Sequence, residues 1–187
     1  MLLEKIAQAA RCGVDFIQLR EKDLSIRDME ILARRAVEAV WAGTNTQLLI
    51  NSRSDVAIAC EADGVHLRGE DISPREARKI SRKAGISESV ISVSCHTRAE
   101  VNRAADQGAT FAVFAPVFEK PGTGARPAGL EKLADACVEK IPVLALGGIT
   151  LENAAECIRA GAAGVAGIRL FQENDLEDTV KKLRALG

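Results

Sequence analysis

Charged, amide and hydroxyl residues stand at the ends of seven short apolar runs in this sequence. In the first run, Gln18, Arg20 and Lys22 alternate, so they share one face of a strand. A second run ends at Asn51, with Ser52 next. A third leads from His66 into Arg68-Gly69-Glu70-Asp71. A fourth ends Ser94-Cys95-His96, with Ser94 and His96 on one face. A fifth opens into a stretch that holds Lys120, Gly122, Thr123, Gly124 and Arg126. A sixth ends at Gly147-Gly148 and a seventh at Gly167-Ile168-Arg169. Oriented cations and backbone N–H groups hold phosphate and stabilise charge that develops on a leaving oxygen. A histidine adds a group that titrates near neutral pH.

Each of these residues also has a purely structural reading. Gly147-Gly148 could be a plain tight turn, but its place before a helix, in a late loop of the chain, favours a phosphate cradle. Arg20 and Lys22 could be solvated charges; as a same-face pair they favour ligand binding. His66 follows Val65 inside its run and reads as a hydrogen-bonded core residue rather than a catalyst. For His96, beside Ser94, the structural and functional readings stay open. Asp71 could merely flank the Ser73 cap. Ser52 reads as the N-cap of a helix at Arg53–Glu61, with Asp55 at the third position. Trp41 reads as packing.

The apolar runs are Asp15–Arg20, Gln47–Asn51, Gly64–Leu67, Val90–Ser94, Phe111–Val117, Pro142–Gly148 and Gly164–Leu170. They lack polar alternation, as strands covered on both faces do. Between them lie amphipathic stretches with helix signals. Ser73-Pro74-Arg75-Glu76 and Thr97-Arg98-Ala99-Glu100 are capping boxes. Ser25 precedes Asp28–Trp41, and Thr150 opens Leu151–Ala160, which Gly161 closes. The repeated strand–helix unit, with short connections and no linker, predicts one α/β domain with a parallel sheet over residues 1–187. The repeat count favours a closed (β/α)₈ TIM barrel over an open sheet. Seven strands and eight helices are counted, because the helix Leu2–Arg11 has no strand before it. The barrel is therefore expected to lack its first strand in this chain, to have an earlier start, or to have the gap filled by a partner.

The chain is 47% hydrophobic, and its 25 basic and 26 acidic residues leave a net charge of −1. So neutral a chain exerts no global pull on nucleic acid or an anionic membrane. Its five cysteines show no metal-knuckle spacing and read as buried free thiols of a reducing compartment. No apolar run approaches the ~20 residues of a membrane span. The start MLLEKIAQAARCG lacks a signal-peptide layout. The expected location is cytoplasmic.

The sequence resembles the thiamine-phosphate synthase and TenI family. The matching pieces are Gln18-Leu19-Arg20-Glu21-Lys22, Leu49-Ile50-Asn51, Ala62-Asp63-Gly64-Val65-His66-Leu67, Gly69-Glu70-Asp71, Ser94-Cys95-His96-Thr97, Pro116-Val117-Phe118, Gly147-Gly148-Ile149 and Ala160-Gly161-Ala162. Their order holds across nearly the whole chain. The resemblance implies a (β/α)₈ barrel that joins hydroxymethylpyrimidine pyrophosphate to thiazole phosphate, with Mg²⁺ as cofactor and pyrophosphate as product. It implies catalytic roles for Arg20, Ser94, His96 and Lys120, with Ser94 at the reacting centre. Gln18, Arg20, Lys22 and Asn51 would hold the pyrophosphate and Asp71 the Mg²⁺. Gly148, Ile168 and Arg169 would stand at the thiazole phosphate. The implied partners are these two small phosphorylated substrates and further copies of the chain in a homo-oligomer, with no nucleic acid and no membrane.

The chain departs from the family pattern at several points. Asn51-Ser52 replaces Asn-Asp, which removes one of two Mg²⁺-binding carboxylates. Phe118-Glu119-Lys120-Pro121-Gly122 replaces a Thr-x-Thr-Lys loop. Arg68 stands where a glycine is usual, and Arg169 where a small polar residue is. Two alternatives follow. One is a TenI-type thiazole tautomerase, a metal-free proton transfer for which His96 could serve. The other is a non-catalytic barrel that binds a thiamine intermediate.

Overall fold

In a computed structural model, residues 2–41, 43–119 and 126–186 are described. The chain forms two compact units, Met1–Ile91 and Ser92–Gly187. Strands and helices alternate along both, and every strand pair described within them is parallel. Seven strands are present among the described residues. The fold is thus the parallel α/β class that the sequence predicts.

The first unit opens with α1 (Leu2–Arg11), followed by β1 (Phe16–Leu19), α2 (Ile26–Val40), β2 (Gln47–Asn51), α3 (Ser54–Ala59), β3 (Gly64–Leu67) and α4 (Pro74–Lys83). β1 pairs with β2, Gln18 facing Leu49, and β2 with β3, Asn51 facing His66. α2 buries Met29, Ala33, Ala36, Val37 and Val40, one stripe at helical spacing. That stripe shares a core with Ile6 and Ala10 of α1, Leu48 and Ile50 of β2, and Val56 and Ala57 of α3. Polar groups set the strand starts. The Asp63 carboxylate accepts the Leu48 N–H at 2.7 Å, and the Thr46 hydroxyl donates to the Val14 carbonyl at 2.6 Å.

The second unit begins within β4 (Val90–Cys95), at Ser92, and continues with α5 (Arg98–Asp106), β5 (Phe111–Phe114), α6 (Gly129–Ala136), β6 (Val143–Leu146), α7 (Ala154–Arg159), β7 (Gly164–Ala166), α8 (Arg169–Gln172) and α9 (Leu176–Arg184). Its strands pair in the order β4-β5-β6-β7. Phe114, Val117, Leu133, Val101, Val143 and Cys157 fill its core.

Ser25, Ser73 and Thr97 accept the backbone N–H of Asp28, Glu76 and Glu100, as the sequence predicts. The second half of the Thr97 box differs: Glu100 accepts the His96 N–H at 2.5 Å instead. Four expectations need correction. Ser52 is not a helix cap, because α3 starts later and Arg53 occupies its N-cap position. α7 begins at Ala154 rather than Leu151, because Asn153 draws residues 148–153 into a turn. The last run ends as a strand at Ala166, and Arg169 opens the short helix α8, which raises the helical segments among the described residues to nine. Trp41, read as packing, is 61% exposed at the end of α2. All five cysteines are free thiols, as expected, but only Cys60, Cys95 and Cys157 are buried; Cys12 and Cys137 are partly exposed.

Candidate functional site

The strand ends of the first unit form a continuous polar network. Gln18 donates to the Asn51 side-chain oxygen at 2.8 Å, and the Asn51 amide donates to the Ser52 hydroxyl at 3.0 Å. The Ser52 hydroxyl donates to Asp71 Oδ2 at 2.7 Å. Arg68 closes the chain. Its backbone N–H donates to the same Oδ2 at 2.7 Å, its Nε to Ser52 at 3.0 Å, and its Nη2 to Asp71 Oδ1 at 3.2 Å. Ser52 lies at φ 62°, a left-handed conformation that costs a non-glycine residue roughly 1–3 kcal/mol. Its N–H donates to the His66 carbonyl at 2.8 Å, which holds it there and aims its hydroxyl at Asp71. Strain of this kind gathers where geometry matters more than stability.

Electrostatics link these groups. Burial disfavours the charged Asp71 carboxylate. The Arg68 N–H, the Ser52 hydroxyl and the Arg68 guanidinium outweigh that and hold it below its ordinary range. Its side chain is 12% exposed and that of Arg68 is 49% exposed, so the cation meets solvent far more than the anion does. His66 is buried, as expected. Burial and then the positive charge of Arg20 push it down to about 4, against the pull of Asp71. The residue is neutral near pH 7. Arg20 and Lys22 are exposed, but β1 ends at Leu19, so the expected strand alternation from Gln18 extends to neither.

In the second unit, Ser94 lies on β4 and is partly buried. His96 follows it and is exposed. Its Nδ1–H donates to the Ala115 carbonyl at 2.6 Å, which leaves Nε2 as the basic nitrogen of the neutral ring. At Gly147-Gly148 both residues have positive φ, 99° and 66°. A Cβ on Gly148 would lie 2.6 Å from the Glu119 carbonyl oxygen, so only glycine fits. Asn153 locks this turn: its oxygen accepts the Thr150 N–H at 2.8 Å, and its amide donates to the Gly148 carbonyl at 2.9 Å. Ile168 and Arg169 are exposed at the start of α8. Lys120, with Gly122, Thr123 and Gly124, lies outside the described residues.

The Thiamine monophosphate synthase family model matches residues 1–171. The chain belongs to the thiamine monophosphate synthase family. Its relatives in this family include the thiamine-phosphate synthase of Roseiflexus sp. (strain RS-1), 42% identical over 88% of this chain and 69% of that protein. Another is the thiamine-phosphate synthase of Syntrophomonas wolfei subsp. wolfei, 36% identical over 99% of this chain and 88% of that one. The thiamine phosphate pyrophosphorylase structure from Pyrococcus furiosus superposes with a TM-score of 0.85 at 29% identity, covering 98% of this chain and 88% of that one.

Family resemblance brings with it the question of Mg²⁺ at Asp71. The residues present do not fit a bare divalent ion. Both Asp71 oxygens already accept from Arg68, and one also accepts from Ser52. Among the described residues no group of three or more His, Cys, Asp or Glu side chains is placed to hold a metal. The sequence places Arg68 at a strand end and marks it as a departure, but gives it no role; its guanidinium sits on Asp71. The three-residue spacing of opposite charges in Arg68-Gly69-Glu70-Asp71 was the available signal. Asp63 and Asn153 were missed as well. Each acts through a backbone partner that no local pattern specifies.

Proposed function

We propose that this chain joins hydroxymethylpyrimidine pyrophosphate to thiazole phosphate, giving thiamine phosphate and pyrophosphate. The observation that carries this reading is the Gln18–Asn51–Ser52–Asp71–Arg68 network at the strand ends of the first unit, in a chain of this family. The methylene C–O bond of the pyrimidine breaks, and its electron pair leaves with the pyrophosphate. The thiazole nitrogen lone pair then forms the C–N bond, so no proton or redox partner is needed. Charge gathers on the departing oxygens, where Arg20, Lys22 and Arg68 supply fixed positive charge. Gln18 and Asn51 orient the diphosphate. In the second unit, Ser94 attends the pyrimidine, and the Gly148 turn with Ile168 and Arg169 receives the thiazole phosphate. The same reading takes the strands into a (β/α)₈ barrel, in a homo-oligomeric cytoplasmic enzyme; the Pyrococcus furiosus likeness supports the barrel.

The fixed His96 tautomer favours a second reading, thiazole tautomerase, because Nε2 is set to exchange a proton. Incubating the purified chain with both substrates separates the two. Thiamine phosphate and pyrophosphate formed in equal amounts support the transferase. Isomerised thiazole carboxylate phosphate with no pyrophosphate released would overturn it in favour of the tautomerase.

A further inference from the structure

We propose that Arg68 takes the place of a divalent cation at Asp71, so that this chain holds and releases a diphosphate without Mg²⁺ at that carboxylate. The inference rests on the transferase reading and specifies how its leaving group is stabilised. Three observations carry it. First, both Asp71 oxygens are already engaged: Oδ2 accepts from the Arg68 N–H and the Ser52 hydroxyl, and Oδ1 accepts from Arg68 Nη2. A metal at Oδ1 would have to share that oxygen with the guanidinium, whose positive charge repels it, and Oδ2 already accepts from two donors. Second, Arg68 is anchored rather than consumed. Of its five N–H donors, Nε–H and one on Nη2 are engaged with Ser52 and Asp71, and the side chain is 49% exposed. The remaining donors form a planar face that matches phosphate oxygens. Third, the charge is conserved. In the pattern that the chain resembles, two carboxylates and one Mg²⁺ are together neutral. Here Ser52 removes one negative charge, and Arg68 supplies a single positive charge against Asp71, which is again neutral. The two departures compensate each other and make sense only together.

A guanidinium differs from a metal ion in ways that matter here. It is permanently charged and tethered, so it cannot be chelated. Asp71 is then a positioning residue for Arg68, and Ser52 is a second anchor that fixes the plane of the guanidinium.

The test titrates inorganic pyrophosphate into the purified full chain by calorimetry, in EDTA and then in Mg²⁺, alongside the two-substrate assay under both conditions. The wild-type chain is expected to bind pyrophosphate and to form product in EDTA. Arg68→Gly weakens pyrophosphate binding in EDTA by about tenfold or more, and Arg68→Lys by less, because it keeps the charge but loses the fork. The double variant Arg68→Gly with Ser52→Asp recovers binding only when Mg²⁺ is added. Thermal unfolding of each variant shows whether it is folded, and Arg68→Lys serves if Arg68→Gly is not. Pyrophosphate binding and product formation that both require Mg²⁺ in the wild type would overturn the proposal and leave the transferase reading standing. Binding in EDTA that vanishes in Arg68→Gly, with no thiamine phosphate formed under any condition, supports the Arg68 anion site and overturns the transferase reading. Unchanged binding in folded Arg68→Gly overturns the proposal.

Discussion

At the scale of single residues, the carboxylate of Asp71 and the rings of His66 and His96 do three different things. Asp71 is charged and engaged at both oxygens, so its worth lies in holding Arg68 and Ser52 in place. Asp71→Asn keeps the shape and removes the charge, and is expected to lower kcat/KM for thiamine phosphate formation by roughly tenfold or more. His96→Ala is expected to spare that reaction and to abolish any tautomerase activity. Steady-state assays of both reactions on both variants check the split, and equal damage to synthesis by the two would contradict it. His66 acts on stability. Its folded value near 4 lies below the ordinary 6.5, so between those values the unfolded chain binds more protons than the folded one. Stability therefore falls as pH drops from about 6.5 to 4, by up to roughly 3 kcal/mol from this group. In His66→Gln the urea midpoint should vary less over that window. An unchanged acid limb would show that other groups govern it.

At the scale of elements, short polar contacts at strand starts set how strands and helices meet. Gly64 opens β3 beneath Val90, and a Cβ there would lie 1.9 Å from the Val90 carbonyl oxygen. The same two segments are tied by the Val90 N–H donating to the Asp63 carbonyl at 2.9 Å. Backbone meets backbone at this point, so neither side can rotate away. Gly64→Ala is expected to cost at least the roughly 1–3 kcal/mol of an overpacked site. A lowered thermal midpoint checks this; a midpoint equal to wild type would show that β3 and the start of β4 shift freely. Because Asn51, His66 and Arg68 lie at or just past the ends of β2 and β3, the damage should extend to pyrophosphate binding.

At the scale of the whole molecule, two apolar cores carry the stability. Leu48 and Leu133 are each fully buried, one in each core. Leu48→Ala and Leu133→Ala should each cost about 2–5 kcal/mol, depending on how far the cavity collapses. Urea unfolding measures both, and a cost under 1 kcal/mol for either would contradict the described packing. The molecule is nearly neutral, so ligand recognition depends on the local cations and not on overall charge. No helix among the described residues is long and apolar enough to cross a membrane.

The alternation of apolar runs with capped amphipathic stretches determined the parallel α/β class by itself, because strand and helix periodicity and N-cap chemistry are local properties. α1, β2 and β3 were read to the residue, and the Ser25, Ser73 and Thr97 caps were read correctly. The polar residues at the strand ends, and the departures at Arg68 and Ser52, were also legible. Tertiary structure decided what those departures do. Ser52 looked like a cap because a serine before a helical stretch usually is one. Its left-handed backbone, tied to the His66 carbonyl, turns it toward Asp71 instead. Arg169 looked like a strand-end residue, yet β7 ends at Ala166 and the chain turns into α8. The pairing of Arg68 with Ser52 spans 16 residues, that of Ser52 with Asp71 spans 19, and that of Gln18 with Asn51 spans 33. No local pattern encodes contacts at such separations; they exist only because parallel pairing sets three strand ends side by side.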